Sequence, residues 1–153
     1  GWGGWGKLRC LRFCLSDEHV TRNFHIRSWV YVPEGSDVLY LTTKVYESLT
    51  GSSVGSTSLD RLQDQVASLL SGKNFLLVLD FFWAESFFDW ELFKMAFMDA
   101  AIRCVILITT RNENVAITMR AAVYFLSHLP DDDCWNIFAH YAFGNRNPEP
   151  TLL

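Results

Sequence analysis

The residues best suited by type and spacing to chemistry on a phosphate are the first nine, Gly1-Trp2-Gly3-Gly4-Trp5-Gly6-Lys7-Leu8-Arg9. Four glycines in six positions let the backbone turn its N–H groups inward without Cβ clashes. The lysine that follows at once supplies a point charge for a terminal phosphate. Gly1, Gly6 and Lys7 satisfy the spacing G-x-x-x-x-G-K-[ST] of a phosphate-binding P-loop, but Leu8 stands where a hydroxyl belongs. In that motif the hydroxyl is a Mg2+ ligand, and leucine has no lone pair to offer. On these residues alone two readings stay open, a glycine-rich leader without a site and an impaired P-loop. The second requires an acidic element downstream, on a buried strand.

Phe75-Leu76-Leu77-Val78-Leu79-Asp80 has that form: an apolar run without polar alternation, as in a strand covered on both faces of a parallel sheet, closed by a carboxylate. Ligands of open α/β sheets sit beyond the carboxyl ends of the strands, so Asp80 is placed to hold Mg2+ through water, in the Walker B manner. An ordinary strand-end aspartate that starts a turn is the competing account. Cys104-Val105-Ile106-Leu107-Ile108-Thr109-Thr110 is a second continuous apolar strand, and Arg111 follows it. An arginine there can sense a terminal phosphate, or simply open a solvated loop.

Other segments must position these residues. Residues 10–16 would continue the helix that a P-loop caps. Residues 27–32 are aromatic and β-branched and stop at Pro33-Glu34-Gly35, a strand ended by a turn. From Asp37, placed as N-cap, Val38, Leu41, Val45 and Leu49 fall on one helical face. After the loop at 51–56, a second helix carries Leu59, Leu62, Val66, Leu69 and Leu70, with Gly72 as its stop. Short helices are predicted over 89–97 and 114–119, a short strand over 123–126, and a helix from Leu129-Pro130-Asp131-Asp132-Asp133 to Gly144. Strands alternating with helices predict a doubly wound, mainly parallel α/β sheet, followed by the start of a helical piece.

Bulk composition narrows the function. The chain has 153 residues, 50% hydrophobic and 20% charged, with a net charge of −4, enough for one globular domain with a core. Basic residues gather only at Lys7, Arg9 and Arg12, so binding to nucleic acid through phosphate neutralisation is not expected. Cys10, Cys14, Cys104 and Cys134 show no C-x-x-C spacing, and the four histidines form no ligand face, so reduced buried thiols are expected instead of zinc or disulfides. No stretch approaches the ~20 apolar residues of a membrane helix, and no signal peptide opens the chain. A cytoplasmic location is the simplest expectation.

Together, the glycine loop, Phe24 to Val32, Leu76 to Asp80 with Trp83, Thr109-Thr110-Arg111 with Asn112 to Ala116, and Leu129 to Phe143 closely resemble the NB-ARC domain of plant nucleotide-binding, leucine-rich-repeat disease-resistance proteins. Trp83 is similar to the coiled-coil branch of that family. The resemblance implies a P-loop NTPase-type domain at 1–127, lacking its first strand, and the start of the helical ARC subdomain at 128–153. It implies a defence switch, with ADP bound at rest and ATP when signalling, attached in the full-length protein to coiled-coil and leucine-rich-repeat domains. Carried over, Gly1, Gly3, Gly4, Gly6 and Lys7 cradle the phosphates, Asp80 holds Mg2+ and Arg111 senses the γ-phosphate.

Three departures qualify this. Leu8 and Arg9 replace two threonines, Phe81 replaces a second aspartate thought to position the attacking water, and the chain opens on Gly1, within the motif, like a piece of something longer. Loss of a neutral ligand at position 8 costs on the order of 1–3 kcal/mol, which binding can survive. Arg9, ~200° around a helix from Lys7, does not replace it. A phenyl ring at 81 can neither orient nor deprotonate water, so hydrolysis is expected to be impaired. An active P-loop ATPase and a non-functional fragment or pseudogene product are the alternatives.

Overall fold

A computed structural model describes residues 15–80, 87–122, 138, 139, 142 and 143. The chain divides into two compact units, one of residues 25–123 and one of residues 1–24 with 124–153. Gly1, Gly3, Gly4, Gly6, Lys7, Leu8 and Phe81 lie outside the described residues, as do the strand expected at 123–126 and most of the helix expected from Leu129.

In the smaller described part, α1 (Glu18–Asn23) starts where the Asp17 carboxylate accepts the His19 N–H at 2.8 Å. Glu18 in its first turn and Arg22 in its last suit the helix dipole, and the two side chains pair with each other. Val20 and Phe24 are buried, with the Phe24 ring 6.1 Å from that of Phe143. This helix was not anticipated, because six residues with one buried apolar side chain carry no periodicity. The cap at Asp17 was the available signal.

Unit 25–123 is built on three parallel strands in the order β1 (Ile26–Tyr31), β2 (Asn74–Asp80), β3 (Arg103–Ile108). Ile26 lies opposite Phe75 and Tyr31 opposite Asp80, while Asn74 lies opposite Arg103 and Leu79 opposite Ile108. Parallel strands need crossovers, and two helices make the first: α2 (Val38–Thr50) and α3 (Leu59–Leu70). Asp37 caps α2 by accepting the Tyr40 N–H at 2.7 Å, and Ser58 caps α3. Gly51 and Gly72 follow the two helices in the left-handed region, φ 69° and 73°, where a side chain would be strained. The second crossover is α4 (Phe87–Met98), and α5 (Glu113–Met119) follows β3.

Parity along the strands sorts the two faces of the sheet. Phe75, Leu77 and Leu79 of β2, with Val30 of β1 and Val32 just after it, join a core shared with Leu41 and Val45 of α2, Val66 and Leu70 of α3, and Phe93 and Phe97 of α4. Leu76, Val78 and Asp80 point to the other face and are buried as well, so β2 is covered on both sides as its unbroken apolar run requires. Helix α2 packs on β1 and α3, and α4 on α2, α3 and β3. The Gln63 amide of α3 donates to the Leu92 carbonyl of α4 at 2.7 Å and so fixes their approach.

Two expectations differ in detail. Leu69 of α3 is at the surface, leaving Leu62, Val66 and Leu70 as the buried stripe. Strand β3 ends at Ile108 and not at Thr110: the Thr109 N–H still reaches the Leu79 carbonyl at 3.0 Å, but the Thr110 hydroxyl accepts the Asn112 N–H at 3.1 Å and turns the chain.

Cys104, opposite Phe75 on β3, is a free thiol, and burial pushes its pKa from 9.0 up to about 12. The raised value favours the protonated form in the folded state, so this group's contribution is intact below pH 9.0 and is lost as pH climbs toward about 12. Relative to Cys104→Ala, the chain is expected to lose about 1 kcal/mol of stability between pH 8 and pH 10. Urea unfolding at the two pH values measures that difference; parallel curves would show that the thiol is not shielded.

Candidate functional site

All three strands run the same way, so their carboxyl ends share one edge of the sheet. Three chain segments meet there. The Val32 N–H, just past β1, donates to the Asp80 carbonyl at 2.8 Å and extends the pairing to the last residue of β2. Asp80 ends β2 with its side chain only 6% exposed. Thr109, equally buried at 6%, continues the β2–β3 register to lie opposite Asp80, and its hydroxyl donates to Asp80 Oδ1. A buried carboxylate is costly without such partners.

Arg111 is exposed on the turn that follows. Its position is set by the Thr110 bond to Asn112, and by Asn112, whose side-chain oxygen accepts the Asn114 N–H at 3.0 Å and caps α5. The sequence-predicted residues Asp80 and Arg111 are thus brought to one edge, at the ends of adjacent strands. The face of the sheet that carries Asp80 and Thr109 is opposite to the one covered by α2, α3 and α4.

Thr109 is the site residue the sequence did not single out. Its signal was a hydroxyl closing an otherwise apolar run, at the position that in-register pairing sets against Asp80. Chemically, a buried carboxylate at the end of a strand offers hard oxygen donors, which suit Mg2+ better than a soft metal. Among the described residues there is no group of three or more His, Cys, Asp or Glu that could enclose a metal by itself. A single carboxylate could hold such a cation only with water or phosphate oxygens completing its shell. Such a cation, if bound, would neutralise phosphate charge, and Asp80 is the residue that would hold it.

A parallel α/β sheet with a carboxylate closing its most buried strand is the architecture of a P-loop NTPase-type domain. Within that class the chain belongs to the NB-ARC domain family, whose model matches residues 1–148. It is 42% identical over 151 residues, 97% of its length, to the disease resistance RPP13-like protein 1 of Arabidopsis thaliana. It is 36% identical over 156 residues, 100% of its length, to the disease resistance protein RGA2 of Solanum bulbocastanum. The chain spans only 14% and 16% of the length of those two relatives. No helix among the described residues is long and apolar enough to cross a membrane.

Proposed function

We propose that this chain is the nucleotide-binding switch module of an intracellular plant immune receptor, holding ADP at rest and ATP when signalling, with hydrolysis impaired. The observation that carries this is the meeting of Asp80 and the Thr109-Thr110-Arg111 turn at the carboxyl ends of adjacent parallel strands, where α/β sheets bind ligands. Gly1, Gly3, Gly4, Gly6 and Lys7 cradle the phosphates with backbone N–H groups and one ammonium. Asp80 holds Mg2+ through water, more weakly than in a P-loop with its hydroxyl because of Leu8, and Arg111 senses the γ-phosphate. Residues 1–127 form the nucleotide-binding part and 128–153 begin the helical ARC part. In the full-length protein, coiled-coil and leucine-rich-repeat domains are the partners, and the location is cytoplasmic.

Calorimetry with ADP tests this directly. The chain is expected to bind ADP, and Lys7→Ala to weaken binding at least tenfold, the loss of one charge-assisted contact of about 1.5–3 kcal/mol. No heat of binding, or an affinity indifferent to Lys7→Ala, would sink the proposal. Phosphate release above background that vanishes in Asp80→Ala would favour the ATPase alternative instead.

A further inference from the structure

We propose that Thr109 is a positioning residue for the Asp80 carboxylate, locking Oδ1 so that the group meets magnesium in one orientation. The inference rests on the nucleotide reading of Asp80 and deepens it. A strand-end aspartate that merely starts a turn bonds to backbone N–H groups a residue or two ahead. The Thr109 hydroxyl, from just past the neighbouring strand, donates to Asp80 across 29 positions of sequence, a bond that starting a turn does not require, and both residues are 6% exposed.

The pairing is built by the backbone before the side chains take part. The Val32 N–H on the Asp80 carbonyl and the Thr109 N–H on the Leu79 carbonyl, at 2.8 and 3.0 Å, extend the ladders on both sides of β2 to its last residue. With Asp80 and Thr109 in register, both side chains leave the same face of the sheet. Threonine is β-branched and stiff at χ1, so its hydroxyl has little freedom to turn away. The Thr109 hydroxyl bonds at Oδ1, and a carboxylate has a second oxygen that can accept or ligate as well.

The departure at position 8 raises the stakes. With leucine in place of a hydroxyl ligand, the chain's own hold on the metal leans on Asp80, and an unlocked carboxylate would cost entropy on every binding event. Partners that orient a metal-binding carboxylate typically change metal affinity by about 10–100-fold when lost.

The test is ADP affinity with Mg2+ and again in excess chelator, for the unmodified chain, Thr109→Val and Thr109→Ser. Thr109→Val keeps the shape and removes the donor, and is expected to cut the magnesium-dependent gain in affinity about tenfold. Its affinity in chelator should stay unchanged, and Thr109→Ser should keep the gain. Thr109→Ala carries the same expectation should the valine variant not melt cooperatively. Equal losses with and without magnesium, no loss at all, or a wild-type affinity indifferent to magnesium would overturn the positioning role alone. An unmodified chain that binds no ADP would overturn it together with the nucleotide reading.

Discussion

An aspartate placed at position 81, with threonine restored at position 8, is expected to raise ATP hydrolysis by about 10²–10⁴-fold over the unmodified chain. The two substitutions are unequal. A general base contributes that range in rate, about 3–5 kcal/mol of barrier at 1.36 kcal/mol per decade, whereas the missing metal ligand accounts for roughly 1–3 kcal/mol. Most of the gain should therefore come from Phe81→Asp, and Leu8→Thr alone should act chiefly on magnesium affinity. Phosphate release under saturating ATP and Mg2+ measures it, with Asp80→Ala added as the control that abolishes the gain. A double variant no faster than the original chain would show that Phe81 is not what limits turnover.

Removal of the Phe97 ring is the substitution expected to cost the fold most. Its side chain is fully buried, 4.8 Å edge-on from Phe93 and 6.0 Å from Phe75 of the central strand. It thereby ties α4 to the strand that carries Asp80. Phe97→Ala is expected to cost about 3–5 kcal/mol, the transfer loss plus the cavity left behind. Against a typical domain stability of about 5–15 kcal/mol, that is enough to unfold a marginal chain. Met95→Ala on the same helix, 63% exposed, should stay within about 0.5 kcal/mol. Urea denaturation of both variants checks the contrast, and equal midpoints would refute the packing role given to Phe97.

How the carboxyl edge is assembled separates what could be read from what could not. Asp80 was legible because a two-sided buried strand must be continuously apolar, so a carboxylate at its end stands out. Arg111 was legible as the first charge after another apolar run. The two helices of the first crossover were legible from their apolar spacing, with Asp37 as the cap of α2 and Gly72 as the stop of α3; the structure adds Gly51 after α2 and the Ser58 cap of α3. Helix α1 was too short for periodicity to betray it, and β3 was overextended because only the Thr110–Asn112 bond, invisible in composition, breaks the strand there.

The amino-acid order by itself determined the parallel α/β class, the helices of the first crossover, the family resemblance and the residues Leu8 and Phe81 at the two departures from the family pattern. Those properties follow from neighbours along the chain, through side-chain periodicity, capping and residue type. The tertiary structure alone decided that Thr109 holds Asp80, that Phe97 rests on Phe75, and that Gln63 clasps Leu92. Each of those contacts joins residues about twenty to thirty positions apart, and strand register and helix packing, which no local pattern encodes, set which of them meet.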